Sequence, residues 1–126
     1  MKFINDLYQV ISFNSYDDEK RFVVLFNPNH QIYSVHFPNN PITPGNVLLQ
    51  IATVLLERNI SKRLSLNTAK NIKFKKPVTP TAKATFIYHK LNITDNQLSI
   101  NINIEVENIS CVQMSLIYNI INYPNI

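Results

Sequence analysis

From Leu98 to Val106 the chain alternates without a break, with Leu98, Ile100, Ile102, Ile104 and Val106 apolar and Ser99, Asn101, Asn103 and Glu105 between them. Alternation of period two places all the apolar side chains on one face of an extended strand. The segment is therefore predicted to lie in an antiparallel sheet that is buried on one side and wet on the other. Ala82 to Leu91 precedes it across the turn Thr94-Asp95-Asn96, and Val112 to Ile121 follows Asn108-Ile109-Ser110. Together they predict a meander of long strands. Nearer the start, Leu7 to Phe13 and Arg21 to Phe26 read as two short strands around the polar turn Asn14 to Glu19, and Ile32 to Val35 reads as a third. The period-two pattern resumes at Ile72, for about six strands in all.

Only one stretch has helical length and no breaker: Asn46 to Arg58, directly after Gly45. Its apolar residues cover most of the circumference, so it is expected to be buried. The preceding stretch, Pro38 to Pro44, holds three prolines, which remove backbone donors and restrict the residues before them. It is expected to be a shaped loop. Several antiparallel strands and one buried helix define an α+β chain, a sheet wrapped around a single central helix.

At 126 residues the chain fits one domain, spanning 1–126, with 45% hydrophobic and 16% charged residues. No apolar run reaches the roughly 18 residues of a membrane span, and Asp6 interrupts the start before a secretory core could form, so a soluble, cytoplasmic protein is expected. Cys111 is the one cysteine; it lies in an alternating segment and is expected to be a small core residue. The net charge is +4, but seven of the twelve Lys and Arg residues (Arg58, Lys62, Arg63, Lys70, Lys73, Lys75 and Lys76) crowd into a stretch with no Asp or Glu. No interleaving of aromatic and basic residues points to nucleic acid. No metal-ligand cluster or cofactor motif is present in the sequence.

Two residues of the loop carry candidate chemistry. Gly45 is the only glycine. Before a helix, a glycine either meets the positive φ of a tight turn or lets a ligand approach unpaired N–H groups at the positive end of the helix dipole. His36 opens the loop, where an imidazole could exchange protons near neutral pH. His30 and His89 stand in less suggestive surroundings.

Together these residues carry a resemblance. His36-Phe37-Pro38-Asn39-Asn40-Pro41-Ile42-Thr43-Pro44-Gly45 is similar to the His-Phe-Pro-x-x-Pro-Val-x-Pro-Gly segment of the 3-hydroxyacyl-(acyl carrier protein) dehydratases of fatty-acid synthesis, with six identities in ten positions. Lys73-Phe74-Lys75-Lys76-Pro77-Val78-Thr79-Pro80 resembles the same family's Lys-Phe-x-x-Pro-Val-x-Pro block. The resemblance implies the hot-dog fold. It also implies His36 as the base that removes the proton beside the thioester carbonyl, oriented by the loop carbonyl near Ile42. Gly45 would supply the backbone N–H that binds the thioester oxygen. Phe37, Val47 and Leu48 would line the acyl tunnel, and no cofactor or metal is implied.

One departure bears on the chemistry. The family's catalytic carboxylate stands fourteen positions after the histidine, and that position is Gln50 here. Glutamine can hold a hydroxyl or a water but cannot donate or accept a proton at physiological pH. Losing a positioned acid costs roughly 10²–10⁴ in rate. Some dehydratase-like proteins of pigment and lipid gene sets also carry glutamine here, so the resemblance is to a subgroup within the family, with polyene-type biosynthesis as one setting. Val35 for the usual glycine and Thr81-Ala82 for the usual Gly-Asp are smaller departures, confined to loops.

In the family each active site takes its histidine from one chain and its carboxylate from another. The implied partners are therefore acyl carrier protein, with Arg58, Lys62, Arg63, Lys73, Lys75 and Lys76 as its docking surface, and a second subunit. That subunit is either a second copy or a carboxylate-bearing paralogue, in which case this chain is a half-site or non-catalytic subunit. An acyl thioesterase is a third reading. It lacks an acidic residue on the helix to activate water, apart from Glu57 near its end.

Overall fold

A computed structural model describes residues 5–35 and 39–121 of the chain. Six strands, β1 (Tyr8–Tyr16), β2 (Glu19–Phe26), β3 (Arg63–Phe74), β4 (Ala84–Thr94), β5 (Gln97–Val106) and β6 (Ile109–Ile121), form one sheet in the order β1-β2-β4-β5-β6-β3. Every neighbouring pair is antiparallel. The long helix α2 (Gly45–Ile60) lies in sequence between β2 and β3, after a one-turn helix α1 (Gln31–Val35).

The alternation in β5 does what its period requires. Leu98, Ile100, Ile102 and Ile104 are buried in one hydrophobic cluster with Phe86 and Tyr88 of β4, Val112, Met114, Leu116 and Tyr118 of β6, and Ile51, Ala52, Leu55 and Leu56 of α2. Cys111 is buried in the same cluster, as a small apolar residue should be. The meander closes through tight turns. Glu107 (φ 53) and Asn108 (φ 63) both take the left-handed conformation between the paired Val106 and Ile109, the backbone that matches the twist of a two-residue hairpin. The Tyr88 hydroxyl donates to the Ala52 carbonyl at 2.7 Å, tying sheet to helix inside the core. Burial pushes the Tyr88 phenol well above the usual tyrosine range, so the proton it donates stays in place. Tyr88→Phe leaves the shape intact and removes one buried hydrogen bond. A loss of about 1 kcal/mol is expected, read as a fall in Tm of about 4 °C by calorimetry. An unchanged Tm would show that the bond adds nothing.

Several elements differ from the sequence expectations. Ile32 to Val35 is not a strand: it lies in α1, where the His30 ring Nδ1 accepts the Ile32 N–H at 3.1 Å and only Tyr33 is buried. The polar turn Asn14 to Glu19 shrinks to Asp17-Asp18, since Asn14, Ser15 and Tyr16 continue the ladder opposite Arg21, Lys20 and Glu19. β3 begins at Arg63, nine residues before the alternation becomes legible at Ile72. Register shifts between Leu66 and Thr68 and between Ala69 and Asn71 break the period, and most of this strand is exposed on both faces.

Helix α2 is not apolar all round in its environment. Val47, Leu48, Ile51, Ala52, Leu55 and Leu56 are buried, whereas Leu49, Gln50, Thr53, Val54 and Glu57 are half-buried along another stripe. It ends at Ser61 in the left-handed conformation (φ 56, ψ 45), with the Lys62 N–H on the Glu57 carbonyl at 3.2 Å. No helix among the described residues is long and apolar enough to cross a membrane.

Candidate active site

The loop before α2 is pinned from both sides. Tyr33 on α1 and Thr43 share a buried hydroxyl–hydroxyl bond of 2.9 Å, and the Thr43 N–H donates to the Val78 carbonyl at 2.8 Å. Burial raises the Tyr33 phenol above its ordinary range, and the bond to Thr43 opposes the shift. His36 and Phe37 lie outside the described residues.

Gly45 does not need a left-handed backbone, since no glycine has positive φ; the turn explanation for it falls away. What it needs is space. A Cβ there would lie 2.6 and 2.7 Å from carbons of the Phe74 ring. Pro44 caps the helix with φ −59 and ψ 145 and no side-chain bond, while the Val47 and Leu48 N–H groups share its carbonyl at 3.1 Å. No side chain caps the first turn, and Gly45 and Leu48 line a cavity of about 350 Å³ together with Ile42, Pro44, Phe74 and Lys75 among others. Phe74 is 60% exposed, so solvent lies beside its ring. Gly45→Ala should displace that ring and cost less than about 1 kcal/mol in a thermal melt. A much larger loss would mean that the ring is held in place over the glycine.

Gln50 faces a different space, a cleft of about 740 Å³ lined also by Thr53, Val54, Glu57, Arg58, Leu64 and Ile121. Its Oε1 is buried and has no hydrogen-bond partner among the described residues. An orphaned buried acceptor costs roughly 1–3 kcal/mol, which a donor entering the cleft would recover. Thr53 Oγ1 donates to the Leu49 carbonyl at 2.9 Å and so accepts from the Tyr118 hydroxyl at 2.7 Å. Glu57 Oε2 accepts the Leu64 N–H at 2.9 Å, which commits that oxygen to the turn into β3.

Gly45 and Gln50 are five residues apart, and at 3.6 residues per turn that separates them by about 140° around the helix. They line different cavities, and the described part of one chain does not bring them together. Val47 and Leu48 are both core residues, and Leu48 also lines the cavity at Gly45. The basic residues divide as well: Arg58, Lys62 and Arg63 line the Gln50 cleft, Lys75 and Lys76 line the Gly45 cavity, and Lys73 lines neither. His30 is structural, its Nε2 lying 3.2 Å from the Asn5 carbonyl. Sequence reasoning missed the polar stripe Gln50-Thr53-Glu57, although its i, i+3, i+7 spacing on an apolar helix was the signal for it. It also missed Phe74 over Gly45, a contact between distant elements that leaves no local trace.

Among solved structures, the dehydratase heterocomplex ApeI:P from Xenorhabdus doucetiae matches with a TM-score of 0.73 at 14% identity, covering 88% of this chain and 96% of that one. A putative thioesterase from Lactococcus lactis matches at 0.70 and 14% identity, covering 98% and 100%. A thioesterase from Haemophilus influenzae matches at 0.67 and 19%, covering 94% and 82%. At these identities the likeness establishes the hot-dog fold alone. No curated protein matches the sequence significantly. The family model described as ApeI dehydratase matches residues 13–113, most of the chain including the loop, α2 and all of β3, and so the chain belongs to the ApeI-like dehydratase family.

Proposed function

We propose that the protein removes water from a 3-hydroxyacyl thioester on acyl carrier protein, giving the trans-2-enoyl thioester, in fatty-acid or polyene-type biosynthesis. His36 takes the proton from C2, and the electrons of that bond form the C2–C3 double bond as the C3–O bond breaks. The Gly45 N–H at the uncapped start of α2 stabilises charge on the thioester oxygen. Gln50 holds the departing hydroxyl, for which its orphaned Oε1 is a ready acceptor. Gln50 has no proton to give, so the imidazolium formed at His36 passes its proton to the hydroxyl as the C3–O bond breaks; the group leaves as water and the imidazole ends neutral. The cationic residues at the two cavities would meet the acidic carrier protein and its phosphopantetheine arm.

The observation that carries this reading is the separation of Gly45 from Gln50 on different flanks of one helix, each beside its own cavity. Two chains, each giving one of these residues, would let a single substrate meet both. It also favours a second reading of the assembly: this chain is one half of a dehydratase whose other subunit places a carboxylate opposite His36. The neighbour ApeI:P, a heterocomplex by its title, lends that reading support. The thioesterase reading is weaker, because the one carboxylate on the helix, Glu57, already bonds the Leu64 N–H. The test is to measure enoyl-thioester formation by the chain alone and co-purified with a carboxylate-bearing family member. Activity is expected to rise sharply in the complex. A fully active homodimer would contradict the half-site reading, and release of free thiol without enoyl product would contradict dehydration.

A further inference from the structure

We propose that the open edge of β3 is charged so as to reject a second copy of this chain and to accept a hot-dog subunit whose facing strand is acidic. The inference rests on the two-chain site proposed above and names the chemistry of the second chain. Among the described residues β3 is the last strand of the sheet, bonded to β6 on one side only, so, the Leu64 N–H held by Glu57 apart, the backbone groups along its other side are open to another strand. Leu64 is its one buried residue and Ile72 its one half-buried residue, although β6 pairs with it along nearly its whole length. Leu66, at 42% exposure, stands uncovered on this strand. Arg63 and Leu64 also line the cleft of Gln50, so a chain added to this edge lies beside the residue that needs a partner.

The charge on that edge has one sign. β3 carries Arg63, Lys70 and Lys73 and no carboxylate, β6 carries no charged residue, and no Asp or Glu occurs anywhere from Arg58 to Thr94. An antiparallel pairing of two copies about a two-fold axis sets the same residues against themselves. In every register, cations then meet only cations or neutral groups, and like charges across a strand pair are destabilising. A strand bearing Asp or Glu turns each repulsion into an attraction and fixes the register as well. The far edge offers no such selection, since β1 has no charged residue at all.

The experiment uses the full chain and a charge-reversed copy, Lys70→Glu/Lys73→Glu, as the acidic-edged probe, mixed at equal concentration and read by native mass spectrometry at low and at high salt. The mixed dimer is expected to exceed its statistical share by at least tenfold at low salt, with the excess fading at about 1 M salt, where charges are screened within roughly 3 Å. The neutral variant Lys70→Gln/Lys73→Gln should form its own dimer more readily than the natural chain does, and guards against a misfolded reversal. Lys83→Glu/Lys90→Glu, off this strand, should show no selectivity. Statistical mixing, the absence of a mixed dimer, or a tight natural homodimer indifferent to salt each overturns the proposal. Because the readout is assembly, the outcome is independent of whether the dehydration chemistry proves correct, which enoyl-thioester formation tests separately.

Discussion

His36→Ala is expected to lower enoyl-thioester formation by at least about 10²–10⁴, the usual contribution of a positioned general base, and in practice to abolish it. The expectation is sharper here than in a site with two titratable partners. With Gln50 unable to move protons, the imidazole must both accept the C2 proton and serve the leaving hydroxyl, so no second group covers for its loss. Tyr33 and Thr43 hold the neighbouring loop from outside residues 36–38, and the substitution should leave Tm and circular dichroism unchanged. Unchanged turnover in a folded His36→Ala protein would eliminate the dehydratase mechanism. Collapse of the fold would instead assign the histidine a structural role.

Gln50→Glu should change activity in the opposite direction. The substitution keeps the length of the side chain and replaces an amide by an acid that can protonate the departing hydroxyl. A gain of about 10²-fold or more is expected in the homodimer of the Lys70→Gln/Lys73→Gln background, relative to that background alone, the lower end of what a positioned acid provides. Arg58, Lys62 and Arg63 line the cleft and favour the ionised carboxylate, whereas burial favours the protonated acid that the step needs, so the gain should be largest on the acid side of the glutamate's titration. A glutamine retained in such a basic cleft is what a subunit would carry if its partner supplied the acid. Gln50→Glu with no gain, in a protein that still assembles, would mean that the proton for the leaving group comes from elsewhere.

How much of this was legible in the sequence depended on whether the physics was local. The β4-β5-β6 meander and helix α2 were readable, because alternation and helical length follow directly from which face each element buries. β3 was largely hidden, since a strand exposed on both faces and interrupted by two register shifts has no apolar period to display. The helical turn at Ile32 to Val35 was misread as extended because its apolar residues favour strands, while the His30 ring that caps it acts through geometry. Within the site, the motif residues were assigned to chemistry by resemblance. The chain alone did not reveal that Gly45 is covered by Phe74, nor that Gln50 looks into a different cavity from Gly45. The second point was computable from the helical period, five residues being about 140° of rotation, and it is what supports the proposed sharing of the site between two chains.

The central claim is that the site is shared between chains and lacks one proton-transfer group. It is tested most directly by mixing the natural chain with a His36→Ala/Gln50→Glu double variant, made on the Lys70→Glu/Lys73→Glu background whose edge is expected to pair with the natural one, and measuring enoyl-thioester formation. In a mixed dimer one site combines His36 of the natural chain with the glutamate introduced into its partner, while the other site has neither group. The double variant alone should be inactive, and the mixture should exceed the natural chain alone by about 10-fold or more, given that one acid contributes roughly 10²–10⁴ at each complete site. A mixture in which mixed dimers form but activity never rises above that of the natural chain would contradict a site built from two subunits.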